Sequence, residues 1–274
     1  GLAAKMAGVK KVYWGIRCTD IPIGSPGTKL IMQVCAKLSY FIPTKIVCVA
    51  NSAKESHIRN GYCASKLVVI PNGVLVLDKA YLRGESDDLK YNFRKNNRRI
   101  IGCVGRYHPD KGQDILIEAA SDLIHKGEDI HIVLAGRGCD EKNGELVNLI
   151  QHYDIESRVS ILGEISDVNK LLINIDIFCM PSRTEGFPNG LAEAMAAGVA
   201  CLATDVGDAK HLARDVVPLI KPSSTASLVQ SLHDFIQKTD EELSEIGQKC
   251  SERIANSFSQ ERINQLYFKL YGWN

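Results

Sequence analysis

The sequence predicts an α/β protein of parallel sheets, and three observations carry that prediction. Short apolar runs alternate with segments of helical periodicity along most of the 274 residues. One such run, 99–104, leads into Gly105, Arg106 and a Pro-containing turn before a helical segment, the order expected at the carboxyl end of a strand in a doubly wound sheet. Finally, residues 83–98 replace the apolar runs with Gly, Ser, Asp, Asn, Lys and Arg, which divides the chain into about two domains.

Each element follows from its local sequence. Residues 1–8 read as the end of a helix stopped at Gly8, and 9–17 as a strand. A helix at 28–40, a strand at 46–50, a helix at 52–60 and a strand at 67–70 complete the segment before the linker. The turn residues Asn72 and Gly73 follow it. Beyond the linker come the strand 99–104, a turn at His108, Pro109 and Asp110, and a helix from 113 to about 126. Strands at 130–135, 159–162, 175–180 and 199–203 alternate with helices near 141–153 and 189–197, and further short segments lie at 209–213 and 217–219. Two terminal helices close the chain at 241–255 and 260–271. In the second, Ile263, Leu266, Tyr267 and Leu270 form an apolar stripe that reads as packing.

Composition narrows the function classes. A net charge of +1 gives no global field for nucleic acid. Nine scattered cysteines form no C-x-x-C pair and read as reduced core residues of a cytoplasmic protein. No apolar run reaches the ~18 residues of a membrane span. Residues 1–50 hold seven cations and one acid, so either a solvated basic face or peripheral contact with the inner face of an anionic membrane is expected there.

The chemistry concentrates around two acids, Glu185 and Glu193, eight residues apart. Gly186, Phe187, Pro188, Asn189 and Gly190 form a loop, and Leu191 begins an Ala-rich helical run closed by Gly198. The free N–H groups and positive dipole end of a helix starting near Asn189 suit a diphosphate. Glu193 is then placed to accept hydrogen bonds from ribose hydroxyls, and Glu185 to reach another part of the same ligand roughly 10 Å away. Taken alone, such a pair also reads as dipole-favoured surface charge. Arg106 and Lys111, just past a strand's carboxyl end, supply the cations a departing diphosphate needs, although each alone reads as solvated surface.

These motifs in this order resemble the family 4 glycosyltransferases: Val104-Gly105-Arg106, Lys111-Gly112, the run 133–138, and the run 181–198 with Glu185 and Glu193. The resemblance covers 99–274 well and 9–73 more loosely. It implies a GT-B fold, two facing Rossmann-like domains, with an incomplete N-terminal acceptor-side domain over 1–82 and a linker over 83–98. A donor-binding domain would follow over 99–255, then a helix over 256–274 crossing back. It further implies that Arg106 and Lys111 hold the donor diphosphate, Glu193 the ribose, and Glu185 the transferred sugar, with Gly105 and the 186–191 backbone completing the donor site. The implied reaction is sugar transfer, with retention, from a UDP- or GDP-sugar to a glycan or lipid-linked acceptor in bacterial cell-surface polysaccharide synthesis. No D-x-D pair occurs, so neither a metal nor another cofactor is expected.

Two departures qualify the resemblance. Arg17 stands in a loop where family members often carry His, leaving it either across the cleft from the sugar or on the surface. Only three strand candidates precede the linker where such a domain usually has about six. The chain also opens in mid-fold without Met, so the expectation is a fragment, with a naturally short protein as the alternative. Two other functions stay open: a sugar-nucleotide epimerase of the same fold, and a non-catalytic nucleotide-sugar binding module.

Overall fold

A computed structural model of the chain describes residues 1–19, 26–76 and 98–273. Two parallel sheets organise them. The small sheet runs β1 (Tyr13–Ile16), β2 (Lys45–Cys48), β3 (Leu67–Val69), in that spatial order. The large sheet contains β4 (Arg99–Val104), β5 (Ile130–Ala135), β6 (Val159–Ile161), β7 (Ile177–Met180), β8 (Ala200–Thr204) and β9 (Leu219–Ile220). Its order, β6-β5-β4-β7-β8-β9, is doubly wound: the chain steps outward from β4, returns, and steps outward the other way from β7. The reversal opens a crevice at the carboxyl ends of β4 and β7, where such sheets bind their ligands.

Helices α1 (Leu2–Met6), α2 (Pro26–Leu38) and α3 (Asn51–Arg59) accompany the small sheet. The large sheet carries α4 (Gln113–His125), α5 (Gly144–His152), α6 (Val168–Leu172), α7 (Asn189–Ala196), α8 (Ala209–Ala213), α9 (Thr225–Ile236) and α10 (Asp240–Ser257). Strands β7 and β8 are buried along their whole length, as strands covered by helices on both faces must be. On one face, Leu116, Ile117 and Leu123 of α4 pack with Leu228 and Leu232 of α9 against Ile101, Ile132 and Leu202. On the other, Leu191 and Met195 of α7 meet Phe178, Cys201 and Ala203, and the same apolar cluster continues to Ile46 and Ala53 beside the small sheet. The last helix, α11 (Gln260–Tyr271), packs on the small sheet. Ile263 is buried against Val47 and Ile70, and the Tyr13 hydroxyl donates to the Leu270 carbonyl at 3.2 Å.

The structure differs from the sequence reading at several edges. The first strand covers only Tyr13–Ile16 rather than 9–17, because Lys10 and Lys11 are exposed and the strand begins once Val12 is buried. Helix α5 starts at Gly144, not 141, where Asn143 accepts from the Leu146 amide. Two helices went unread: α6, five residues capped by Asp167, and α9, twelve residues capped by Ser224. The expected linker, apart from Arg98, and the last residues of the expected first domain lie outside the described residues. None of the nine cysteines is in a disulfide, and six of them are buried.

Candidate active site

The crevice between β4 and β7 is lined by two loops that the sequence ties together. After β4 the chain passes Gly105 and Arg106, forms a single turn at Pro109–Lys111, and enters α4 through Gly112. Gly112 has φ +66°, and a Cβ there would lie 2.1 Å from the Pro181 carbonyl oxygen, so only glycine lets the two loops touch. Arg183 completes the seam. Its guanidinium forks onto both oxygens of Asp114 at 2.8 and 2.6 Å and donates to the Pro109 carbonyl, while its amide donates to the Asp110 carbonyl at 2.7 Å. Burial is the largest single influence on the Asp114 carboxyl and would raise its pKa, but the Arg183 fork together with the Asp114 and Ile115 amides outweighs it and holds the group below its ordinary range.

Across this seam Lys111 and Glu185 meet. The Lys111 ammonium donates to Glu185 Oε1 at 2.6 Å, and the Ser182 hydroxyl donates to the same oxygen at 2.8 Å. Side-chain exposure is 28% for Lys111 and 10% for Glu185, so the pair is partly withdrawn from solvent and screened less than a surface pair. An ammonium has three donors, so Lys111 keeps capacity for an incoming anion beside Glu185. Arg106 differs from it. Its side chain is exposed and makes no hydrogen bond or ion pair among the described residues, while its carbonyl is fixed by the buried Gln113 amide at 2.9 Å. The loop backbone is therefore anchored and the guanidinium is left free.

Helix α7 begins at Asn189, with Pro188 at its N-cap and no capping side chain. The first amides of α7 thus lack a side-chain acceptor, the condition under which a helix start attracts an anion. The start lies against the end of β4, close enough that a Cβ on Gly190 would come within 3.1 Å of the Val104 carbonyl oxygen. Glu193 lies just beyond the first turn, half-buried, and its side chain makes no hydrogen bond or ion pair among the described residues; desolvation raises its pKa above the ordinary carboxyl value. The Phe187 ring is buried against Phe258 and the Leu191 side chain is fully buried, so these two positions offer a ligand only their backbone.

The structure thus joins Lys111 to Glu185 directly and sets Gly105, Arg106 and the α7 start around the same strand ends. No hydrogen bond or ion pair links Arg106 or Glu193 to that pair. Sequence reasoning gave no role to Ser182, whose hydroxyl meets Glu185 within the same loop, or to Arg183 and Gln113, whose partners lie on other elements or on backbone. Asn72, read as a turn residue, also donates to Asn189 Oδ1 at 2.8 Å at the α7 start, and Arg17 is exposed with Asn72 Oδ1 3.5 Å away. Among the described residues no cluster of three or more His, Cys, Asp or Glu is arranged to hold a metal, and no helix is long and apolar enough to cross a membrane.

Comparison with known proteins gives the family and the fold. The pattern of the family described as "Glycosyl transferases group 1" matches residues 85–253, more than half of the chain. An Escherichia coli UDP-Gal:alpha-D-GlcNAc-diphosphoundecaprenol alpha-1,3-galactosyltransferase is 28% identical over 98% of this chain and 72% of its own length. The phosphatidylinositol N-acetylglucosaminyltransferase GPI3 subunit of Saccharomyces cerevisiae is 28% identical over 81% of this chain; the match spans about half of that subunit, 47%. The fold matches that of Anabaena HepE in complex with UDP, with a TM-score of 0.85 at 21% identity over 99% of this chain and 74% of that one. The fold is the expected GT-B arrangement, and the chain belongs to the group 1 glycosyl transferases.

Proposed function

We propose that the chain is the donor-binding and part of the acceptor-binding machinery of a retaining glycosyltransferase. It moves a sugar from a nucleoside diphosphate sugar to a glycan or lipid-linked acceptor in cell-surface polysaccharide synthesis. The observation that carries this reading is the Lys111–Glu185 pair beside a free Arg106 and an uncapped α7 start at the sheet's switch point. The donor's diphosphate lies between Arg106, Lys111 and the first amides of α7. Its ribose meets Glu193, and its sugar meets Glu185 and the amides that follow Gly186. As the acceptor hydroxyl bonds to the anomeric carbon, the bond to the diphosphate breaks, negative charge builds on the departing phosphate oxygen, and that oxygen takes up the hydroxyl's proton. Lys111, held by Glu185, and the helix dipole oppose that charge without reorganising, which is where such sites gain most of their rate, and the free Arg106 guanidinium adds to them. Glu185, already committed to Lys111 and Ser182, orients the sugar and does not act as an acid.

Support for a uridine nucleotide comes from the UDP in the HepE complex and the UDP-galactose in the name of the Escherichia coli relative. The test is to incubate the chain with UDP-glucose, UDP-galactose, UDP-N-acetylglucosamine and GDP-mannose and measure nucleotide release. Release from one donor, rising when a glycan acceptor is added, is expected. An epimerised sugar nucleotide with no release would replace the transferase reading with an epimerase, and binding without either product would leave a binding module.

A further inference from the structure

We propose that Asp208 is the latch that closes the small-sheet unit over the donor loop and holds Glu185 and Gly186 in working position. Asp208 stands at the N-cap of its own helix α8, the place where an Asp side chain ordinarily caps, yet it makes no side-chain cap there. Its carboxylate, 5% exposed, is given instead to a helix of the other unit. Oδ2 accepts from the Asn51 amide at 2.7 Å and from Asn51 Nδ2 at 2.9 Å, and Oδ1 accepts from the Ser52 amide at 2.9 Å. Those amides open α3, whose own N-cap is Ala50, a residue with nothing to cap with. The cap of α3 is therefore supplied across the cleft, from 157 residues away, by a charge-assisted set of hydrogen bonds that exists only when the units are together.

The same residue grips the donor loop. The Asp208 amide donates to the Gly186 carbonyl at 2.9 Å. Gly207, at φ +55°, presses so near that a Cβ would lie 2.3 Å from the Glu185 carbonyl oxygen. From the opposite side Thr19, in the loop after β1, reaches Gly186: a Cβ there would fall 2.6 Å from the Thr19 hydroxyl. The Glu185–Gly186 segment is thus held between backbone carrying the latch and a loop of the unit being latched. Closing the units and placing Glu185 become one event, which makes Asp208 a positioning residue for the transfer. Only the turnover part of this inference rests on the transferase reading.

The experiment compares the whole chain with Asp208→Ala, Asp208→Asn and the double variant Asp208→Ala/Ala50→Ser, in which α3 regains a cap of its own. Small-angle X-ray scattering is expected to give a larger radius of gyration for all three variants than for wild type. The thermal midpoint, lowered in Asp208→Ala, is expected to recover in the double variant. Nucleotide release should fall about tenfold in every variant while the dissociation constant for UDP stays within about twofold, a turnover effect without a binding effect. Unchanged scattering in the variants would overturn the latch. So would recovery of both compactness and turnover by Ala50→Ser, since Asp208 would then be a helix cap and nothing more. Should Asp208→Ala fail to fold, Asp208→Asn carries the same comparison. A wild-type chain that releases no nucleotide yet opens when Asp208 is replaced would sink the transferase reading and leave the latch standing.

Discussion

At the scale of single residues, the site separates side chains already employed by the protein from those it leaves available. Lys111 and Glu185 neutralise each other, so replacing either disturbs folding and binding together: leaving Glu185, 10% exposed, without its cation costs on the order of 2 kcal/mol, between the values for surface and buried pairs. Arg106 and Glu193 carry no such burden. The raised pKa of Glu193 has a defined sign for stability: a carboxyl that is harder to ionise when folded destabilises the native state above its folded pKa and is neutral below its unfolded one. Glu193→Gln is therefore expected to raise the thermal midpoint at neutral pH, the gain shrinking to nothing as pH falls below the ordinary carboxyl range. The same substitution is expected to weaken UDP binding, because ribose hydroxyls donate to the ionised form. Thermal melts and titrations across pH check both halves; a stabilised variant that binds UDP as wild type does would remove Glu193 from the donor site.

Elements were legible where punctuation and periodicity agree. The turn before α7 and helix α7 itself could be read because Gly, Pro and an Ala-rich run mark both ends, although Asn189 and Gly190, read as loop, are its first helical residues, and α11 could be read because its stripe keeps helical spacing. Helix α9 went unread although Ser224 caps it and Leu228, Leu232, Phe235 and Ile236 recur on one face. Its signal was buried among the polar residues Ser223, Ser227, Gln230 and Ser231, which locally resemble a loop. Packing, not propensity, decides such a segment. Leu232, fully buried between α4 and the sheet, is expected to cost about 2–5 kcal/mol on Leu232→Ala, read by denaturant unfolding, with UDP affinity of the folded fraction unchanged. A loss below about 1 kcal/mol would mean that α9 is not part of the cooperative core.

For the whole molecule, what escaped the sequence is what joins distant parts. The pairing of Lys111 with Glu185 spans 74 residues and the reach of Asp208 to α3 spans 157, and neither leaves a local pattern. Motif order pointed to strand ends that converge in a doubly wound sheet, and the structure joins Lys111 and Glu185 there, but which residues bond to one another was not legible. The Glu185–Gly186 segment is touched by both sheet units, so in the proposed reading donor binding and closure share one segment. The central claim is that the crevice at β4 and β7 holds a nucleoside diphosphate by charge. It is tested most directly by calorimetric titration of UDP into the chain and into Arg106→Ala, whose side chain is exposed and has no structural partner among the described residues. The account predicts saturable binding to the wild type and a loss of roughly tenfold or more in the variant, about 1.4 kcal/mol, at an unchanged thermal midpoint. Equal affinity in the two proteins, or no binding to either, would contradict it.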